Sequence, residues 1–255
     1  MKVGKVEKLI YATIEKDGVV FFGLIDPMLP TETALRNAKA FYEGGADIIL
    51  IGGSTVSGEK SLEDMLSEIK EATDVPVMLY PGNINGVASN ADALYFMSLL
   101  NSSNPYWITG AQALAAPAIA KLGMEAIPTS LLIIEPGETV GWIGEARPIP
   151  NHKAEIAAAY ALAGKLLGQR ITILERGSGA PGPANPEMFQ MVKAAVQHPV
   201  MCAGSCKTVQ DIKQTIKAGA DGIHIASMVE KAADPVAKAK ELVHLAKQAG
   251  KKKLR

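Results

Sequence analysis

The chain has 255 residues, 48% of them hydrophobic, with 26 basic and 26 acidic side chains and no formal net charge. That is enough apolar material for one large core or two small ones, and it excludes a disordered chain. The charge balance excludes a broad nucleic-acid surface, which needs basic residues concentrated on one face, and the one basic run is the terminal "KKKLR".

The first stretch, "MKVGKVEKLIYATIEKDG", carries charge every few residues. No apolar run reaches the roughly 18 residues a membrane helix needs, so neither a signal peptide nor a span is expected. From there short apolar runs alternate with amphipathic ones: "GVVFFGLID" (18–26), a helix over 31–45, "ADIILIGGS" (46–54), a helix over 61–73, "VPVMLYPG" (75–82), "ADALYFMSLL" (91–100) and a helix over 110–123. The second half continues with strands at 124–136, 170–177, 199–205 and 221–227, separated by helices at 151–168, 185–198 and 208–219 and followed by one at 234–249. Eight near-continuous apolar strands alternating with helices predict a parallel sheet closed into a (β/α)8 TIM-type barrel. A doubly wound open sheet is the competing fold, but it leaves exposed edges to cover. No linker-like segment divides residues 1–255, so a single barrel domain is expected. Cys202 and Cys206 fit neither a CxxC pair nor a zinc site, which points to a reduced, cytoplasmic protein with small buried thiols.

One interval breaks the alternation. Only "GNINGVASN" (82–90) lies between the third and fourth strands, and a parallel crossover normally takes a dozen or more residues. The helix after strand 3 is therefore expected to be missing. The bared wall would seat a long hydrophobic chain, or be covered by an N-terminal or partner-chain helix.

Chemistry in such barrels sits at the C-terminal ends of the strands, with phosphate commonly held after strands 7 and 8. Those ends carry Asp26, "GGST" (52–55), "YPGN" (80–83), Glu135, Glu175 with "GSG" (177–179), "AGS" (203–205), and Ala226 with Ser227. Small residues leave backbone N–H groups unhindered, so the late loops read as one phosphate cup.

The stretches "FFGLIDP", "GGADIILIGGS", "VPVMLYPGN", "SLLNSSNPYWITGAQ", "EPGETVGWIGEARPIPNHKAEIAAAYALAG" and "LERGSGAPG" stand in one order across residues 19–229. In that order they resemble the geranylgeranylglyceryl phosphate synthase family, prenyltransferases of archaeal ether-lipid synthesis with bacterial relatives. The resemblance implies a barrel lacking its third helix, and transfer of a C20 prenyl group from its diphosphate to the 3-hydroxyl of sn-glycerol-1-phosphate, with Mg2+ required. It places the metal on Asp26 and Ser54, a carboxylate and a hydroxyl suited to a hard cation, and makes Asp26 and Glu175 the catalytic pair, Glu175 orienting or deprotonating the acceptor hydroxyl. Acceptor contacts fall on Leu174, Glu175, Gly177, Ser178, Gly179, Gly204, Ser205, Ala226 and Ser227. The motifs around 98–112 and 134–163 resemble the branch that forms dimers or hexamers, so a homo-oligomer is expected, with no nucleic-acid partner and at most transient membrane-surface contact.

The chain departs from the family pattern at the acceptor site. Ile173 stands where relatives carry Tyr, Arg176 where they carry a small residue, "AGSC" (203–206) where they carry "GGGI", and Ala226–Ser227 where they carry Gly-Asn or Gly-Thr. Side chains resist the left-handed backbone that glycine tolerates, so weaker acceptor binding is expected. Arg176 is expected to point out between helices, the alternative being a contact to phosphate. Another phosphorylated acceptor, a longer donor, or a non-catalytic prenyl-diphosphate-binding protein also fit these residues. His224, mid-strand with no second ligand nearby, reads as a barrel histidine. Tyr106, Trp107 and Trp142 read as loop aromatics, either at a subunit interface or packed over a strand end.

Overall fold

The computed structural model describes residues 3–53 and 62–254. The chain opens with α1 (Lys5–Asp17) and then alternates β1 (Val20–Ile25), α2 (Thr31–Gly44), β2 (Ile48–Ile51), α3 (Leu62–Ala72), β3 (Val77–Leu79), β4 (Ala93–Leu99), α4 (Ala111–Leu122) and β5 (Glu125–Ile133). The second half runs α5 (Glu138–Ile143), α6 (Ala154–Leu166), β6 (Ile171–Glu175), α7 (Pro186–Val196), β7 (Val200–Ala203), α8 (Val209–Lys217), β8 (Gly222–Ile225), α9 (Ser227–Glu230) and α10 (Pro235–Lys253). The strands close in chain order into one parallel barrel. β1 completes the circle, pairing Phe22 with Ile48 of β2 and Val20 with Gly222 of β8.

Alternation along each strand sorts the apolar residues into two cores. Phe21, Ile49, Leu132, Leu174 and Ile223 face the helices, while Phe22, Leu50, Tyr95, Ile173 and Met201 fill the barrel. The inner core also takes in Val6 and Ile10 of α1. That helix has no side-chain cap of its own. The carboxylate of Glu125, at the start of β5, accepts from the N–H groups of Val6 (2.9 Å) and Glu7 (2.8 Å), satisfying donors that the helix leaves orphaned and countering its positive end. Glu7, fully buried, is held in turn by a forked pair from Arg170 at 2.6 and 2.8 Å. α1 thus closes the barrel at the N-terminal ends of its strands.

Between β3 and β4 there is one 3-10 turn, Ile84–Gly86, and no α-helix, as the spacing predicts. β3 is three residues long and meets β4 at Met78–Ala93 and Leu79–Leu94, whereas β4 and β5 pair over seven positions. Because α1 is committed to the floor, the N-terminal helix does not cover this wall. No helix among the described residues is long and apolar enough to cross a membrane.

Candidate active site

A cavity of about 600 Å3 opens at the C-terminal ends of the strands and continues over the wall that lacks its helix. At its polar end stand Glu175, Ser178, Gly179, Gly204, Ser205, Ala226 and Ser227; at its apolar end stand Leu94, Phe96, Ala115 and Ile119. Leu94 belongs to the outer core and Tyr95, also on the cavity, to the inner one, so the space reaches both sides of β4. α4 lays Ala111, Ala115 and Ile119 along it, a stripe at four-residue spacing that one helix face presents.

Glu175 ends β6 with its side chain turned into the barrel and 6% exposed. Its Oε1 accepts from Gly177 N–H at 2.5 Å and its Oε2 from the Tyr80 hydroxyl at 3.2 Å. Burial pushes this carboxyl up to about 7, and the two hydrogen bonds hold it partly back. An acid poised there exchanges a proton near neutral pH. Gly204 passes close against it: with φ +64, a Cβ at that position would collide with Glu175 Oε1. Gly52 is equally confined, since a Cβ there would collide with the carbonyl and Cβ of Tyr80. Beneath them Tyr95 and His224 share a 3.2 Å hydrogen bond, and burial takes the imidazole down to about 3, so the ring is neutral. His224 is a buried barrel histidine on the cavity wall, with no hydrogen-bond partner at Nδ1 among the described residues.

Asp26 follows β1 at the mouth, exposed, its Oδ1 accepting from Met28 N–H at 2.9 Å across a tight turn. The β2 loop passes beside it, since a Cβ on Gly53 would stand 3.0 Å from that oxygen. Ser54, the other expected metal ligand, lies outside the described residues. No group of three His, Cys, Asp or Glu gathers among the described residues. A carboxylate at an open mouth, with Glu230 also on the lining, fits a hard divalent ion that keeps most of its waters and takes phosphate oxygens as further ligands.

The structure brings most of the expected acceptor residues to one place, leaves two of them off the cavity, and turns Arg176 in a direction that was not expected. Leu174 is not on the cavity: alternation turns its side chain into the outer core, with Ile173 and Glu175 facing inward. Gly177 is likewise off the cavity lining, its N–H spent on Glu175. Arg176 does not point out between helices, nor does it reach into the cup. It is 8% exposed, its Nε donating to Glu135 O at 2.6 Å and its Nη1 to Gly182 O and Pro183 O at 2.5 and 3.1 Å. Ala203 and Ala226 keep negative φ, so methyl groups there cost the backbone nothing, but Ser205 takes φ +81 despite its side chain. Tyr80 and Lys207 are the site residues that sequence reasoning missed. Lys207 lines the rim and ties the two late loops through Gly179 O at 2.9 Å. Trp107 lines the cavity, Tyr106 bonds Asn83 Oδ1 at 2.7 Å, and Trp142 alone of the loop aromatics is open to solvent.

A closed parallel barrel with small-residue loops after strands 6 and 7 and a short extra helix, α9, after strand 8 has the arrangement of the phosphate-binding (β/α)8 barrels. Here a buried acid and an apolar groove are added to it. Within that class the chain belongs to the PcrB family, matching it over residues 13–244. It is 48% identical to the geranylgeranylglyceryl phosphate synthase of Thermococcus kodakarensis over 242 residues, covering 94% of this chain and 95% of that one. To the enzyme of the same name from Pyrococcus horikoshii it is 47% identical, covering 91% of each chain. The crystal structure of (S)-3-O-geranylgeranylglyceryl phosphate synthase from Thermoplasma acidophilum, in complex with its substrate sn-glycerol-1-phosphate, superimposes with a TM-score of 0.90 at 32% identity, covering 97% of this chain and all (100%) of that one.

Proposed function

We infer that the protein joins a geranylgeranyl group to sn-glycerol-1-phosphate, as its relatives' names describe for them. The observation that carries this reading is one continuous cavity that offers a phosphate-sized polar cup and a buried acid at one end and a long apolar groove at the other. Those are the two halves of a reaction between a small phosphorylated alcohol and a hydrocarbon-tailed diphosphate. The glycerol phosphate lies in the cup with its 3-hydroxyl at Glu175, and the prenyl chain runs along β4 and α4.

The acceptor oxygen attacks the first carbon of the prenyl chain, the bond from that carbon to the diphosphate oxygen breaks, and diphosphate leaves. The hydroxyl proton passes to Glu175, whose burial makes its carboxylate a stronger base than a solvated one. Tyr80 holds the other carboxylate oxygen so that Oε1 and Oε2 keep one orientation. Ser178, Gly179, Gly204 and Ser205 shape the phosphate seat, with Ala226 and Ser227 closing its third side. Asp26, with Ser54, would hold Mg2+, which supplies positive charge to the departing diphosphate.

Leu114, Trp142, Leu166 and Leu167, on α4, α5, α6 and the residue after it, are 65, 86, 80 and 75% exposed. Side chains of that size on one sector of a barrel support a homo-oligomer. Two thiols without a disulfide agree with a cytoplasmic setting.

Incubation with labelled C15, C20 and C35 diphosphates and a panel of phosphorylated acceptors tests the reaction. A C20 product on glycerol-1-phosphate, dependent on Mg2+, is the expected outcome; preference for another acceptor, or no product with any, refutes it.

A further inference from the structure

Two positions at which this chain departs from the family pattern, Arg176 and Ser205, meet at a single atom. Gly182 O, in the loop from β6 to α7, accepts from Arg176 Nη1 at 2.5 Å and from Ser205 Oγ at 2.7 Å. The guanidinium continues to Pro183 O and, across the β5 seam, to Glu135 O. Ser205 Oγ also lies against Gly204 O. Ser205 holds a left-handed backbone, φ +81, that a side chain resists, so something must compensate for it. Its hydroxyl does so by anchoring to the neighbouring loop.

We propose that Arg176 and Ser205 are a coupled pair of positioning residues that fix the spacing between the 177–183 and 203–206 loops, and so the affinity of the cup for a phosphate monoester. The proposal rests on the reading that this cup seats the acceptor phosphate. Neither residue touches the reacting atoms. Arg176 is buried behind the loop and acts through Gly182 and Pro183, whereas Ser205 sits on the cavity wall with its hydroxyl turned to Gly182. The guanidinium suits the task because its planar fork reaches carbonyls of two different loops at once, which an ammonium cannot do in one geometry. Ser205 suits it because the loop's left-handed turn points Oγ at the same carbonyl.

Ser205→Gly separates positioning from mere structure. Glycine accepts φ +81 freely, so the melting temperature should stay level or rise, while the tie to Gly182 is lost. Calorimetric titration with sn-glycerol-1-phosphate and with inorganic phosphate should show Kd raised about fivefold to tenfold, as for one lost hydrogen bond, with the KM for the prenyl donor unchanged and kcat within about twofold. Arg176→Lys should weaken both phosphates by a similar factor. Because the two act through one carbonyl, the double variant should weaken binding by about tenfold in all, well short of the product of the single effects.

Effects that multiply, or a Ser205→Gly protein with unchanged phosphate Kd, would overturn the proposal. If Arg176→Lys does not fold, the Ser205→Gly titration decides alone. A parent protein that binds inorganic phosphate in this way but not glycerol-1-phosphate upholds the cup and refutes the acceptor; one that binds neither refutes both.

Discussion

Glu175 and Asp26 divide the polar work by their surroundings. Glu175 is buried, with its carboxyl raised to about 7, so the basic form that the proposed reaction needs dominates only above neutrality. Turnover should therefore climb with pH through about 7 on a single ionisation and then level off, as a pH series of kcat at saturating substrates will show. Stability carries the opposite sign. The folded pKa exceeds the usual 4.5, so the group's stabilising share is complete below that value and is lost as pH rises through about 7. Glu175→Gln resembles the protonated acid. Its turnover should fall by about 100-fold or more, while its melting temperature declines less between pH 5 and 8 than that of the parent. An equal decline in both proteins would mean that Glu175 is not the buried ionising group. Asp26 is exposed and keeps one oxygen on Met28 N–H, a bond that asparagine can preserve. Asp26→Asn should thus lower turnover by about two orders of magnitude with its melting temperature nearly unmoved. Near-normal turnover would remove Asp26 from the metal site.

At the scale of elements, the strands were legible because fully buried parallel strands are written as unbroken apolar runs, and the absent helix was legible because nine residues cannot hold a crossover. α1 was not. Its pattern is charged every few residues, and the contacts that seat it, Glu125 on its first turn and Arg170 on Glu7, come from more than a hundred positions away. Arg176 was misread for the same reason, since its direction is set by carbonyls that two loops and the end of β5 bring together only in the fold. Leu174 could have been placed correctly by counting alternate positions back from Glu175. The groove offers an element-level prediction. Ala111, Ala115 and Ile119 span nine residues of α4, about 12 Å of helix axis. Ala115→Phe should block the groove midway, shifting donor preference toward C10 and C15 diphosphates in competition assays while the acceptor KM stays level. Unchanged chain-length preference would place the prenyl chain elsewhere.

For the whole molecule, the four most open large apolar side chains among the described residues, Trp142, Leu166, Leu167 and Leu114, lie on α4 to α6 and the residue that follows. Sedimentation at micromolar concentration should give at least a dimer, and Trp142→Ala or Leu166→Glu should shift it toward the 26.9 kDa chain. A monomer for the parent protein would contradict the assembly.

The helix that stoppers the barrel has a consequence for the order of events. With Val6 and Ile10 plugging the far end, the interior is a blind alley whose acidic berth is at Glu175, above the neutral Tyr95–His224 pair, and whose threshold is at Asp26. A guest moored at the threshold by its charged head, its tail draped down the flank, bars the way to the berth behind it. The alcohol must then arrive first and the tailed diphosphate second, giving a compulsory sequence. Initial-rate patterns should show the prenyl diphosphate unable to bind productively until glycerol phosphate is aboard, with excess donor slowing the reaction by shutting the late-coming alcohol outside.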